Sequence, residues 1–185
     1  MKKSLALLAV AASAAISSAA WADNVSDGIA KYREMLQDGN PAELFEMNGE
    51  ELWKTKRGPK NASLEQCDLG KGPGVVRGAF VELPRFFADT GRVQDLESRL
   101  LTCMETLQGL DAAKIAKTKY NTGEQESLRD LATYVAGQSR EMAFNLPQSR
   151  PEERAMYEAG KRLFFHRSGT HDFSCNTCPC AWSAN

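Results

Sequence analysis

Apolar residues along this chain recur mostly three or four positions apart, which is typical of helices that bury one face. The clearest case is the segment 95–108, where a single apolar stripe includes Cys103 and places its thiol toward the core. The same spacing predicts further helices over residues 23–36, 42–54, 126–139 and 151–165. Asn48-Gly49 leaves the second of these as one helix or two. No strong strand signal is present, so the pattern predicts a mainly α protein.

The last predicted helix has a recognisable start and a distinctive face. Ser149-x-x-Glu152 predicts a capping box, and Pro151 falls in the first turn, where proline is well tolerated. Tyr157, Gly160 and Phe164 lie on one side of this helix. A glycine on a packed face lets another helix cross close by.

Two polar segments have alternative interpretations. Residues 67–78, CDLGKGPGVVRG, contain four glycines and one proline, which excludes regular helix. They lack the glycine-lysine order of a phosphate-binding loop and are predicted to form a tight wrap-around loop. The basic segment 54–60, KTKRGPK, is interpreted as a solvated loop, or as a docking patch for an acidic partner or an anionic substrate.

The N-terminus has the features of a secretory signal peptide. Lys2 and Lys3 precede an apolar run over 5–16, and Ala20-Trp21-Ala22 is a cleavage site of the A-x-A type. Residues 1–22 are therefore predicted to be removed after Ala22, with export to the bacterial periplasm. No later segment is long and apolar enough to span a membrane. The net charge of -1 gives no reason to expect nucleic acid as a partner.

The chain has five cysteines, three of them clustered near its end. In an oxidising compartment Cys67 and Cys103 can pair if the glycine-rich loop folds back, or they can remain two separate buried thiols. Cys175-Asn-Thr-Cys178 is one residue away from C-x-x-C-H, the attachment site of a c-type haem. Pro179 stands where the histidine would be. Proline has no nitrogen lone pair to ligate iron, so the expected site lacks its proximal ligand.

Two other functions fit the cysteines. The C-x-x-C alone would allow a periplasmic electron-transfer cytochrome without group-transfer chemistry. Cys175, Cys178 and Cys180, with His171, could instead offer three sulfurs and one nitrogen to a zinc ion in a binding or interaction module, although Cys-x₂-Cys-x-Cys is an awkward spacing.

Four segments of the mature chain resemble the SoxA family, the larger cytochrome subunit of the SoxAX complex of bacterial sulfur oxidation. They are GEELWKTKRGPKNASLEQCDLGKGPGVVR at 49–77, LPRFFADTGRVQDLESRLLTCM at 83–104, LRDLATYVAGQS at 128–139 and YEAGKRLFFHRSGTHDFSCNTC at 157–178. The resemblance covers most of residues 49–178.

The resemblance implies two cytochrome c-like domains in tandem. Residues 23–145 would be the first domain, without haem and with a Cys67–Cys103 disulfide in its place. Residues 151–185 would be the start of the second, cut off after its first helix and C-x-x-C. The one haem c of the family would be attached through Cys175 and Cys178.

The resemblance also implies an activity and its partners. SoxAX is an L-cysteine S-thiosulfotransferase that joins thiosulfate oxidatively to a cysteine of the carrier SoxYZ and passes electrons to cytochrome c. The small cytochrome SoxX is the expected partner subunit. The family's catalytic cysteine, an axial haem ligand, lies beyond the point where this chain stops, so no residue here is expected to be catalytic.

The similarity to the family ends at Cys178. The last residues, PCAWSAN, differ from the family's continuation, as a one-base frameshift near codon 179 would produce. We therefore expect this copy to carry little or no haem and to be inactive.

Overall fold

The computed structural model describes residues 25–36, 39–170 and 172–177, and the chain divides into two compact units, residues 1–43 and residues 44–185. In the first unit, helix α1 covers residues 25–36. Its apolar residues Ile29, Tyr32 and Met35 recur at helical spacing and are exposed. The predicted helix over 23–36 is confirmed for the residues described.

Helix α2, Ala42–Lys54, runs without a break through Asn48-Gly49, so the segment is one helix. Its start is fixed by Asn40, whose Oδ1 accepts a hydrogen bond of 3.0 Å from the backbone N–H of Ala42. Gly49 lies where α5, Glu124–Gly137, crosses α2. A Cβ at this position would overlap the backbone carbonyl of Asp130, so the close crossing requires glycine.

A small hairpin is present although the sequence has no strong strand signal, and the protein is mainly α as predicted. Strand β1, Arg85–Phe87, pairs antiparallel with β2, Arg92–Gln94, with Phe86 opposite Val93. Each strand has only three residues, which is too short for an alternating apolar pattern to be recognised.

Helix α3, Leu96–Cys103, continues as a π-helical turn over Met104–Gln108, which together match the helix predicted for 95–108. Asp95 caps it by accepting a 2.9 Å hydrogen bond from the N–H of Ser98. Cys103 is buried, as the apolar stripe predicted.

The remaining helices are α4, Ala112–Lys117, then α5, and α6, Pro151–Phe165. The pattern did not predict α4, because Ile115 is its one buried residue. Helix α5 begins and ends two residues before the predicted 126–139, and α6 has the predicted bounds.

The core is formed by α2 to α5 and the loops between them. Its fully buried large side chains include Leu64, Leu69, Leu100, Met104, Leu131 and Val135. Helix α6 contributes none of the core's buried apolar residues, and its large apolar side chains are exposed. Over the part of the chain that the structure describes, no helix has the length and hydrophobicity of a membrane span. The predicted domain boundary between residues 145 and 151 stays a prediction.

Candidate functional site

Cys67 and Cys103 form a disulfide, which confirms the predicted pair and corrects the alternative of two free buried thiols. Their Cα atoms are 5.6 Å apart and both residues are buried. The carbonyl of Cys67 accepts a 3.0 Å hydrogen bond from the N–H of Gly74, where a positive φ of 75° favours glycine. The glycine-rich loop therefore folds back on itself and is bound to α3 through sulfur.

The glycine-rich loop uses its backbone groups internally. Asp68 Oδ1 accepts hydrogen bonds from the N–H groups of Gly70 and Gly72, at 2.7 and 2.9 Å. The buried Arg99 donates through Nε to the carbonyl of Asp68 at 2.6 Å, which fixes the loop against α3. Because an internal carboxylate already occupies these N–H donors, the loop is a structural wrap rather than a phosphate cradle.

The basic segment 54–60 also makes internal contacts. Arg57 Nη2 lies 3.0 Å from a carboxylate oxygen of Glu124 at the start of α5. Lys60 Nζ donates to the carbonyl of Thr106 at 2.7 Å, in the π-helical turn. These contacts favour the interpretation of a loop over that of a docking patch, and they show that the loop also braces the fold.

Cys175 lies in a short 3₁₀ turn, Cys175–Thr177, that rests beside α6. The turn is held by Thr177, whose Oγ1 accepts from the N–H of Ser174 at 2.8 Å and donates to its carbonyl at 2.7 Å. An antiparallel bridge between Ser168 and Phe173 leads the chain back toward the helix. The Cys175 thiol is free and exposed, so it is accessible to covalent chemistry.

The other candidate ligands, Cys178, Pro179, Cys180 and His171, lie outside the described residues. Within the ranges that are described, no three histidine, cysteine or acidic side chains come close enough together to hold a metal ion. The zinc hypothesis depends on the residues outside those ranges and stays a prediction.

The described residues, taken with the sequence that follows Cys175, do not fit the donor set of a ligated haem c. The exposed Cys175 thiol, with Cys178 three residues on, supplies the two sulfurs that a c-type haem needs for attachment. The next residue is Pro179, which cannot ligate iron. The described histidine, His166, ends α6 and is exposed. In the sequence, two cysteines thus stand at the attachment spacing, and a proline stands where C-x-x-C-H has its histidine.

Helix α6 is anchored to the hairpin through a buried carboxylate at its first turn. Glu153 is 6% exposed and accepts hydrogen bonds from the backbone N–H of Phe86, at 3.0 Å, and of Arg150, at 3.2 Å. The guanidinium of Arg150 lies 4.5 Å from the centre of the Phe86 ring. Glu153 thus closes the helix N-terminus and joins it to β1 at the same time.

The charge of Glu153 is stabilised where it lies. Burial alone would raise the pKa of this carboxyl. The two backbone donors and the positive charges of Arg85 and Arg150 together outweigh burial, and they hold the pKa of Glu153 below its usual value. The carboxylate is therefore the form that the folded chain prefers.

An apolar groove of about 680 Å³ runs along α6 beyond this anchor. The hairpin and the segment before α6 form one wall, through Pro84, Val93, Leu146 and Pro147. The helix forms the other, with Met156, Tyr157, Gly160, Leu163 and Phe164 among its lining residues. A Cβ built on Gly160 meets no described atom within 4 Å, so no described element crosses the helix there.

Sequence reasoning missed Glu153 and placed the cap one residue early. The predicted box of Ser149 and Glu152 is wrong, because Arg150 occupies the capping position and Glu153 reaches back to its N–H. Ser149 instead offers its carbonyl to Arg154 at 2.8 Å. The spacing of three residues recurs one position later in Arg150 and Glu153, but the capping-box pattern asks for Ser or Thr at the cap and so pointed to Ser149.

Comparison with known proteins identifies relatives over most of the chain. The sequence profile described as "SoxA/TsdA, cytochrome c domain" matches residues 48–144. The L-cysteine S-thiosulfotransferase subunit SoxA of Hydrogenophilus thermoluteolus is 48% identical over 185 residues, covering 96% of this chain and 68% of that protein. The subunit of the same name from Hydrogenobacter thermophilus is 30% identical, covering 84% of this chain and 59% of that protein.

The fold agrees with a solved structure. The crystal structure of SoxXA from P. pantotrophus superposes with a TM-score of 0.60 at 26% identity, covering 75% of this chain and 48% of that chain. The chain thus spans between about half and two thirds of the length of these relatives.

Proposed function

We propose that this chain, which belongs to the SoxA family of L-cysteine S-thiosulfotransferase subunits, is the SoxA subunit of a thiosulfate-oxidising complex. Haem c is the implied cofactor of the family, and under this proposal the haem segment of this chain cannot ligate iron. Its partner subunit would be the small cytochrome SoxX, as in the SoxXA structure that it resembles. The carrier SoxYZ, thiosulfate and a cytochrome c acceptor complete the activity of the family.

The observation that carries the proposal is the disulfide inside the matched region. Residues 48–144 fit the profile of a cytochrome c domain, yet they contain no C-x-x-C-H, and Cys67 and Cys103 are bonded to each other. This arrangement supports a first domain, residues 23–145, that serves as scaffold rather than as a haem carrier. It also supports an oxidising compartment, which agrees with a signal peptide over residues 1–22 and a periplasmic location.

The second domain would begin at residue 151, with α6 and the turn that carries Cys175. Cys175 and Cys178 are the attachment residues by position, and Pro179 replaces the axial histidine. Attachment machinery recognises C-x-x-C together with its histidine. We therefore expect this chain to be exported, to form its disulfide and to remain without covalent haem.

A gain-of-function substitution tests this proposal. The unmodified chain and the Pro179→His variant are exported in a bacterium with active cytochrome c maturation, and both are run on a haem-stained denaturing gel. The variant should stain, and the unmodified chain should not. Pro179→Ala is the matched control, because it removes the ring without supplying a ligand and should stay unstained.

Two results would contradict the proposal. Staining of the unmodified chain would mean that attachment does not need the missing imidazole. Failure of the exported chain to retain SoxX in a pull-down, with a haem-binding SoxA as positive control, would refute its role as a subunit of the complex.

A further inference from the structure

We propose that a lysine-rich surface on α4 and the turn after it is a docking site for an acidic surface of a partner protein, which this chain meets in a transient encounter. The surface consists of Lys60, Lys114, Lys117, Lys119 and Tyr120 and is named the lysine face. As a site within a multi-protein complex it rests on the function proposed above. It goes beyond that function because it assigns a partner of defined chemistry to α4.

Helix α4 presents its lysines to solvent. Ile115 is buried in the core, and the helix packs against α3 and α5. Lys114 and Lys117 are exposed and three residues apart, so they lie on the same side of the helix. Lys119 and Tyr120 follow in the turn that leads to α5, and both are exposed.

Backbone contacts bring Lys60 to the same surface. Its N–H donates to the carbonyl of Gln108 at 3.1 Å, and its side chain lies over Gly109, just before α4. The segment 54–60 therefore braces the fold and contributes Lys60 to the lysine face. Helix α6 packs against the hairpin instead, so the lysine face lies on other elements, inside the residues 48–144 that match the profile.

The positive charge of the lysine face is not neutralised by the residues that the structure describes. Arg99 and Arg129, the cations before and after α4 in the sequence, both form ion pairs. Among the described residues, no carboxylate oxygen lies within 4.0 Å of the four lysine amino groups of the face. The nearby acids are already engaged, because Asp111 accepts a 2.9 Å hydrogen bond from a backbone N–H of α4 and Glu124 pairs with Arg57. The lysine charges are therefore available to a partner.

Tyr120 adds an aromatic contact to the charged surface. Its side chain is 71% exposed and lines a concavity of about 370 Å³, together with Leu128 and Ala132. Tyrosine is enriched at protein interfaces, because its ring buries apolar area while its hydroxyl keeps a polar partner. Lysines beside one exposed tyrosine have the composition of a charged rim next to an aromatic anchor.

The composition of the face favours a protein as the partner. A nucleic acid presents a continuous line of phosphates, which the neighbouring carboxylates of Asp111 and Glu124 would repel. A membrane-binding helix inserts large apolar side chains next to its cations, but α4 exposes only alanines between its lysines, Ala113 and Ala116. A protein can place its own carboxylates opposite the lysines and leave the two acids uncontacted.

The face suits a transient partner better than a permanent subunit. Permanent interfaces are large and apolar, whereas this surface is mainly charged. Exposed charges at an interface mainly raise the association rate, because they attract the partner before contact, and salt weakens this attraction. We therefore expect the lysines to control how fast the partner arrives and Tyr120 to control how long it stays.

The association kinetics of SoxYZ and of SoxX with the immobilised, exported chain test the proposal. For at least one of them, the association rate constant should fall about tenfold or more between about 20 and 300 mM NaCl. The triple variant Lys114→Glu, Lys117→Glu, Lys119→Glu should lower this rate constant about tenfold or more at low salt and change the dissociation rate less than about threefold. Tyr120→Ala should mainly raise the dissociation rate.

A second triple variant separates position from net charge. Arg77→Glu, Arg92→Glu, Lys161→Glu changes the net charge by the same amount at exposed cations outside the lysine face. It should leave the association rate within about threefold of the unmodified chain. Circular dichroism should show both triple variants folded, since the altered side chains are exposed, and the salt series on the unmodified chain needs no variant.

Three results would overturn this proposal alone. The first is binding of SoxYZ and SoxX at rates that do not change with salt. The second is a lysine-face variant that associates as fast as the control variant. The third is a lysine-face variant that loses binding to vesicles of anionic phospholipid while binding both proteins normally, since the face would then serve a membrane. Absence of any binding by both proteins to the unmodified chain would overturn the proposed function together with this proposal.

Discussion

The Cys67–Cys103 disulfide should be the largest single contribution to the stability of the residues that match the cytochrome c profile. It joins the glycine-rich loop to α3 across 36 positions of sequence, and both cysteines are buried in the core. We consider the double substitution Cys67→Ala and Cys103→Ala, which removes the crosslink and leaves two small apolar side chains.

The expected loss has two parts. In the chain-entropy model, removing a crosslink over a loop of this length costs about 4 kcal/mol. The deleted sulfur atoms leave unfilled volume, which adds on the order of 1 kcal/mol by comparison with a buried methylene. A total of about 5 kcal/mol corresponds to a fall in Tm of at least about 10 °C for a chain of this size.

Thermal and urea unfolding, followed by circular dichroism, measure this loss. Cys175→Ala is the matched control, because that thiol is free and exposed and its removal should change the free energy of unfolding by less than about 0.5 kcal/mol. If the double variant lost less than about 1 kcal/mol, the conclusion that the crosslink supports this scaffold would be refuted.

Two further substitutions test the contacts that position α6 and α5. Glu153→Gln should cost about 2 kcal/mol, because a neutral amide replaces the charged acceptor of the Phe86 and Arg150 N–H groups. Since the folded pKa of Glu153 is lowered, its contribution to the free energy of unfolding is present above the unfolded pKa of about 4.3 and is lost as pH falls through the folded pKa. Urea unfolding from neutral pH to about 3 should show this loss in the unmodified chain and not in Glu153→Gln. Equal dependence of the unfolding free energy on pH in the two proteins would contradict it. Gly49→Ala should destabilise by about 1–3 kcal/mol despite the better helix propensity of alanine, because its Cβ overlaps the Asp130 carbonyl, and a raised urea midpoint would contradict that.

The sequence predicted the features that depend on local periodicity. The stripe over 95–108 placed Cys103 in the core; the residues left a bond to Cys67 as one of two alternatives, and the resemblance to the SoxA family implied the pair that is observed. Helix α6 was predicted with its bounds. These predictions succeeded because side-chain burial repeats with the helical period over several turns.

Features that depend on contacts distant in sequence were missed. The hairpin of β1 and β2 is stabilised by its neighbours rather than by its own pattern, and α6 reaches it through Glu153, 67 residues from Phe86. The cap shifted by one residue because Glu153, and not Glu152, faces the hairpin. No local pattern carries that information.

The visible absorption spectrum of the chain, purified from the periplasm of a host with active cytochrome c maturation, shows whether Cys175 and Cys178 carry a ligated haem. We expect a colourless protein without a Soret band, because Pro179 cannot supply the imidazole that the iron requires. A red protein with the spectrum of a low-spin haem, and with thiosulfate-dependent turnover in the presence of SoxX and SoxYZ, would contradict it.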